Sequence, residues 1–114
     1  MTTRRFAVLA LALLAASAGL AACGPPPAAR TPQTLVIVVD KLLYGPPPIV
    51  AHVGDTIEWD NHDIFEHSAT ADEGAFDLDL PAGGKATFTL KQSGVIRYHC
   101  KFHPGMLGQI TVTP

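Results

Sequence analysis

Basic residues are few and scattered, eight Lys and Arg against ten Asp and Glu, and no basic block occurs. Without a basic patch, nucleic acid is excluded as a partner. Cysteine is scarce too, with Cys23 and Cys100 alone, so one disulfide at most could form. No stretch carries a convincing helical pattern. The only long apolar run, Phe6 to Ala18, falls short of the ~20 residues that a comfortable membrane span needs.

What remains is alternation. Leu35 to Val39 is a β-branched run that reads as a strand buried on both sides. Ile49 to Val53 and Thr56 to Asn61 read as two strands joined at Gly54-Asp55, a strong short-turn signal. In the second, Ile57 and Trp59 share one face and Glu58 and Asp60 the other. Phe76, Leu78 and Leu80 alternate with Asp77 and Asp79, and the turn Pro81-Ala82-Gly83-Gly84 follows. Ala86, Phe88 and Leu90 then alternate with Thr87 and Thr89. Ile96, Tyr98 and Cys100 share the parity of another strand, and Gln109 to Thr113 closes the chain with Ile110 and Val112 inward. Short alternating strands between Gly/Pro turns imply an all-β sandwich or barrel. The folded part should run over 34–114. A domain of that size buries only about 60% of its unfolded surface, so a bound metal would add useful stability.

Near the end stands Cys100-Lys101-Phe102-His103-Pro104-Gly105-Met106, in which a thiol, an imidazole and a thioether recur at intervals of three. Pro104-Gly105 is a turn dipeptide, so the chain can curl and aim the three side chains at one point. Thiolate and thioether are soft donors and imidazole is borderline. With a second imidazole they form the set of a copper electron-transfer site, in which two His and one Cys lie in a plane and a Met binds weakly on the axis. The second histidine must come from His52, His62, His67 or His99. His99 alternates out of phase with Tyr98 and Cys100, so it flanks the site. His52 sits mid-strand and reads as a surface histidine. His62 and His67 share one loop, and spacing does not separate them.

The N-terminal residues read as a targeting segment. Arg4 and Arg5 form a positive start, Phe6 to Ala18 is the apolar core, and Leu20-Ala21-Ala22-Cys23 resembles the lipobox of bacterial lipoproteins. That resemblance implies a signal peptide over 1–22, cleavage before Cys23, lipidation of the Cys23 sulfur and an anchor at the outer side of a bacterial membrane. Cys23 and Cys100 would then have separate fates, and Cys100 would be free for metal. Cleavage would leave six basic residues against ten acidic ones, a net charge of −4. Residues 23–33 hold four prolines and no apolar pattern. They read as a semi-rigid tether of roughly 30 Å.

The stretches Val53 to Asn61 and Asp63 to Thr70, with Phe76, Pro81 to Gly84, Phe88, Gly94 and Tyr98-His99-Cys100, resemble the cupredoxins over nearly the whole domain. The C-x-x-H-x-x-M spacing is similar to the short-loop, amicyanin-like branch. The resemblance implies a Greek-key β-sandwich of about seven to eight strands, one copper ion cycling between Cu(I) and Cu(II), and His67 as the upstream ligand. The implied ligand set is His67, Cys100, His103 and Met106. Ser68 stands where the family commonly has an Asn that ties the ligand loops together, so the tuning of the site by its surroundings should differ.

The resemblance further implies a one-electron carrier, with Phe102, Pro104 and Leu107 as an apolar docking patch around His103 for a redox partner, a cytochrome or an oxidoreductase. The alternative is a copper-delivery protein using the same site. An enzyme is disfavoured because four protein ligands leave no position for substrate. The chain is expected to be monomeric. Asp60, Asp63, Glu66, Asp72, Glu73, Asp77 and Asp79 offer an acidic surface for a basic partner.

Overall fold

The computed structural model describes residues 29–48 and 50–114, together with Gly19; the targeting segment and Cys23 lie outside the described residues. Nine strands occur in the order β1 (Thr34–Asp40), β2 (Leu43–Tyr44), β3 (Ala51–His52), β4 (Thr56–Asn61), β5 (His67–Ala71), β6 (Asp77–Leu80), β7 (Lys85–Thr89), β8 (Gly94–His99) and β9 (Leu107–Thr113). They form one sheet ordered β2-β1-β4-β7 and another ordered β3-β9-β8-β5-β6. No helix occurs among the described residues. The all-β sandwich is as expected. The strand count exceeds seven to eight because of two elements outside the alternating runs: β2 is only two residues long, and β5 begins at His67, in a stretch read as loop.

Alternation places the core between the sheets. Ile37, Val39, Ile57 and Trp59 come from the first sheet, and Ala69, Leu80, Tyr98, Ile110 and Val112 from the second. Trp59 packs against Phe76 at 5.1 Å and edge-on to Tyr98 at 5.5 Å between ring centroids. The Tyr98 ring lies so close to the Gly108 backbone that any side chain there would overlap it.

Two strand expectations need correction. The run Leu35 to Val39 is buried on one face only, with Val36 52% and Val38 40% exposed. Among the described residues no second layer covers the outer face of that sheet, and β-branched residues favour the extended backbone with or without burial. The turn at Gly54-Asp55 is present, with Gly54 at φ 97° and the Asp55 N–H donating to the His52 carbonyl at 3.0 Å. It does not close a hairpin, however. The short β3 pairs with β9 in one sheet, while β4 pairs with β1 and β7 in the other.

That corner is held by a buried carboxylate. Asp55 accepts from the Arg30 guanidinium at 2.6 and 3.1 Å, from the Gln33 N–H at 2.9 Å and from the His52 N–H at 2.9 Å. The end of the expected tether is therefore tied to the domain from Arg30 onward. The Arg30 bonds, aided by the two N–H groups, outweigh burial and hold the Asp55 carboxyl well below its usual range. A depressed folded-state value stabilises the fold above the unfolded value of ~3.9 and ceases to do so as pH falls through the folded value. Asp55→Asn should therefore cost about 2 kcal/mol at pH 7. In denaturant titrations the gap to wild type should narrow as pH drops below ~4, and a gap that does not change with pH would contradict this.

Candidate metal centre

The site forms where two loops meet at one end of the sandwich. The first loop leaves β4 at Asn61 and enters β5 at His67. Asn61 is fully buried, and its amide donates to the carbonyls of Phe65 and Leu80, each at 2.9 Å, while its oxygen accepts the Asp63 N–H at 2.9 Å. These bonds curl residues 62–66 and bury the His67 ring. The second loop leaves β8 at His99 and enters β9 at Leu107. Its ends are closed by Cys100 N–H to Met106 O at 3.1 Å and Met106 N–H to His103 O at 3.2 Å, and Gly105 turns it at φ 88°.

These closures bring His67, Cys100 and His103 together, with all three donor atoms within 4.8 Å of one another. The Cys100 Sγ lies 3.8 Å from His67 Nδ1 and 3.7 Å from His103 Nδ1. Metal–nitrogen and metal–sulfur bonds of about 2.0 and 2.3 Å place S and N about 3.5 Å apart at the tetrahedral angle and about 3.7 Å apart at 120°. Both sulfur–nitrogen spacings therefore suit donors to one ion. Cys100 and Met106 are each 4% exposed, His67 is fully buried, and His103 is half-buried.

The surroundings prepare the thiolate. Burial pushes the Cys100 thiol up, but hydrogen bonds from His103, the Phe102 N–H, His67 and the Ser68 N–H bring it down to about 6. Ser68 does bridge the two loops as a hydroxyl can, its Oγ accepting the Lys101 N–H at 2.8 Å. The sulfur is reached by the Ser68 backbone rather than its side chain. The Tyr44 hydroxyl donates to the Ser68 carbonyl, a contact the sequence did not signal because β2 is so short.

The remaining histidines lie apart from this cluster. His62 faces Asp60 at 3.0 Å on the surface, and His99 faces Asp72 at 2.6 Å. The Nε2 of His67 points at the Asp63 carboxylate, 3.0 Å away. The contacts of Asp63 and Asn61 escaped the sequence reading, which took Asp63 only as part of an acidic surface and Asn61 only as the end of a strand. Phe102 and Leu107 are exposed. Beside them stand the exposed Ile64 and Phe65, the latter edge-on to His103 with ring centroids 6.1 Å apart. The acidic surface is largely self-paired: Asp60 meets Lys85, and Asp77 and Asp79 meet Lys101. That leaves less free negative charge than the sequence suggested.

A soft thiolate between two imidazoles, with a thioether on the same loop, is a donor set that fits copper. The family model of the cupredoxin-like domain matches residues 6–112, and the chain belongs to that family. It is 28% identical to an amicyanin of Paracoccus versutus over 77% of this chain and 72% of that protein. It is also 28% identical to a plastocyanin of Synechococcus over 96% of this chain and 93% of that protein. A reduced Cu(I) form of an amicyanin variant superposes with a TM-score of 0.64 at 27% identity, over 70% of this chain and 82% of that one. One copper ion is the cofactor.

In the copper-free protein, Cys100 should be protonated on the acid side and ionised on the alkaline side of a midpoint near about 6, read from ultraviolet thiolate absorbance. His103→Ala should move the midpoint up by removing a donor to the sulfur. A wild-type midpoint at the free-thiol value of ~8.5 would contradict this account.

Proposed function

We propose that this protein is a blue-copper one-electron carrier, in which His67, Cys100, His103 and Met106 would hold the copper. The observation that carries the reading is the cluster itself, three donors within 4.8 Å of one another with His67 and Cys100 buried. Bound copper supplies a single-electron couple between Cu(I) and Cu(II). The chain's part is to hold the donors still. Backbone bonds between Cys100, His103 and Met106 fix one loop, and the Asn61 amide fixes the other. Little then needs to move when the oxidation state changes. Burial keeps water from the sulfur. Four protein donors leave no position for a substrate, which argues against an enzyme.

The alternative, copper delivery with the same residues, is disfavoured by that burial. A donor of copper needs ligands within a partner's reach, and three of these four side chains are buried. The His103 ring edge is the exit for electrons, framed by Phe102, Pro104 and Leu107 and widened by Ile64 and Phe65. Such an apolar rim suits a cytochrome or an oxidoreductase with a matching apolar face. The chain acts as a monomer at the outer side of a bacterial membrane, held through lipid on Cys23. Among the described residues no helix is long and apolar enough to cross a membrane. The lipobox-like Leu20 to Cys23 supports the anchor.

Copper(II) loading should give an intense visible thiolate-to-copper band and a reversible one-electron wave. Cys100→Ser should abolish the band and His62→Ala should leave it intact. Bleaching by His62→Ala but not His67→Ala would overturn the ligand set, and loss of copper on reduction would favour delivery.

Expressed at full length in a bacterial host, the chain should partition with membranes and carry acyl mass on Cys23, whereas Cys23→Ala should be released. An unmodified thiol at Cys23 in the mature protein would refute the anchor.

A further inference from the structure

The Asp63 carboxylate is the meeting point of two backbone N–H groups and a ring nitrogen. Its Oδ2 accepts the Leu42 N–H at 2.9 Å and faces His67 Nε2 at 3.0 Å, while its Oδ1 accepts the Ile64 N–H at 2.8 Å. The side chain is only 8% exposed. An ionised carboxylate so nearly buried is costly unless its partners are fixed, and here two of the three are backbone.

The Leu42 donor is placed at a cost. Lys41 and Leu42 form the two-residue turn between β1 and β2 with φ of 52° and 62°, the left-handed region that favours glycine. For residues with a Cβ that conformation costs roughly 1 kcal/mol or more each. Strain of this kind persists where the surroundings fix it. The antiparallel pairs Val39↔Tyr44 and Asp40↔Leu43 fix the turn from one side, and the bond to Asp63 fixes it from the other. The turn thus aims an N–H at a carboxylate whose same oxygen receives the imidazole of His67.

We propose that Asp63 is the positioning residue of the copper centre: it holds the His67 ring as the Nε2–H tautomer, leaves Nδ1 free on the Cys100 side, and favours Cu(II) by its charge. This rests on His67 being a copper ligand. A carboxylate behind a ligating imidazole fixes its orientation and raises its basicity, and loss of such a partner typically weakens metal binding 10–100-fold. Negative charge close to the metal favours the more positive oxidation state. The effect on Cu(II) is therefore larger than on Cu(I).

The test compares copper-loaded full-length wild type with Asp63→Asn. The amide oxygen of that variant can still accept from Leu42 and His67, while the amide nitrogen gives up the bond from the Ile64 N–H, so the side of the carboxylate that faces the copper ligand changes chiefly in charge. Affinity for Cu(II) should fall about tenfold relative to Cu(I), which raises the potential by about 59 mV for one electron, while the visible band persists. A merely structural Asp63 would lower stability and leave the potential unchanged. A second measurement needs no variant: ring-nitrogen NMR of the reduced wild type should find the His67 proton on Nε2, and a proton on Nδ1 overturns the proposal. If the wild type itself gives no visible band, the ligand reading fails. If both proteins show the band at one potential, only the role of Asp63 fails.

Discussion

The buried amide of Asn61 is the constraint on which the metal end depends. It stands at the last residue of β4, where the first sheet stops and the chain must cross to the second. A five-residue crossing at the end of a sandwich leaves backbone groups that the strands do not pair. Asn61 serves several of them at once, bonding forward to the Phe65 carbonyl, across to the Leu80 carbonyl and to the Asp63 N–H. With that curl set, His67 enters β5 as a buried ring and Asp63 lies behind it. Without it the loop would have no reason to place an imidazole inside. The second loop needs no such device, because it is short and its own backbone closes it.

The two loops are joined at few points, and each point matters to the sulfur. The Ser68 hydroxyl receives the Lys101 N–H, while the Ser68 and Phe102 N–H groups face the thiolate. A side-chain amide in place of Ser68 could serve both needs itself. Here the hydroxyl takes the bridge and the backbone serves the sulfur. The thiolate therefore sits in a ring of donors before any metal arrives. Binding then requires less proton displacement near neutral pH, because these donors hold the thiol below its usual value.

Much of this was legible in the sequence. The alternation of Ile57 with Trp59, of Leu78 with Leu80 and of Ile110 with Val112 gave both the strands and their inward faces. The equal spacing of Cys100, His103 and Met106 gave the metal loop, because three soft or borderline donors on one tight turn have little else to do. What escaped depends on contacts between distant segments. Val36 and Val38 look like core residues, yet among the described residues nothing covers their face of the sheet. β2 is two residues long and carries no period. Asp55 reads as a turn residue and proves to be the clamp on Arg30. His62 and His67 are equivalent by spacing, and what separates them is the fold: one ring is turned to Asp60 at the surface and the other toward Cys100.

The two buried polar centres outside the metal cluster sit at opposite ends of one strand. Asp55 precedes β4 and Asn61 ends it, six residues later, a rise of about 20 Å. The parallel partner β1 and the antiparallel partner β7 lock β4 along its length, so this separation is rigid. At one end Asp55 grips Arg30 and Gln33, and so fixes where the N-terminal segment joins the domain. At the other end Asn61 shapes the loop that presents His67, with the apolar rim of Phe65, Phe102 and Leu107 beside it. The junction with the N-terminal segment and the His67–Cys100–His103 cluster therefore lie at opposite ends of the sandwich, held apart by the paired length of β4.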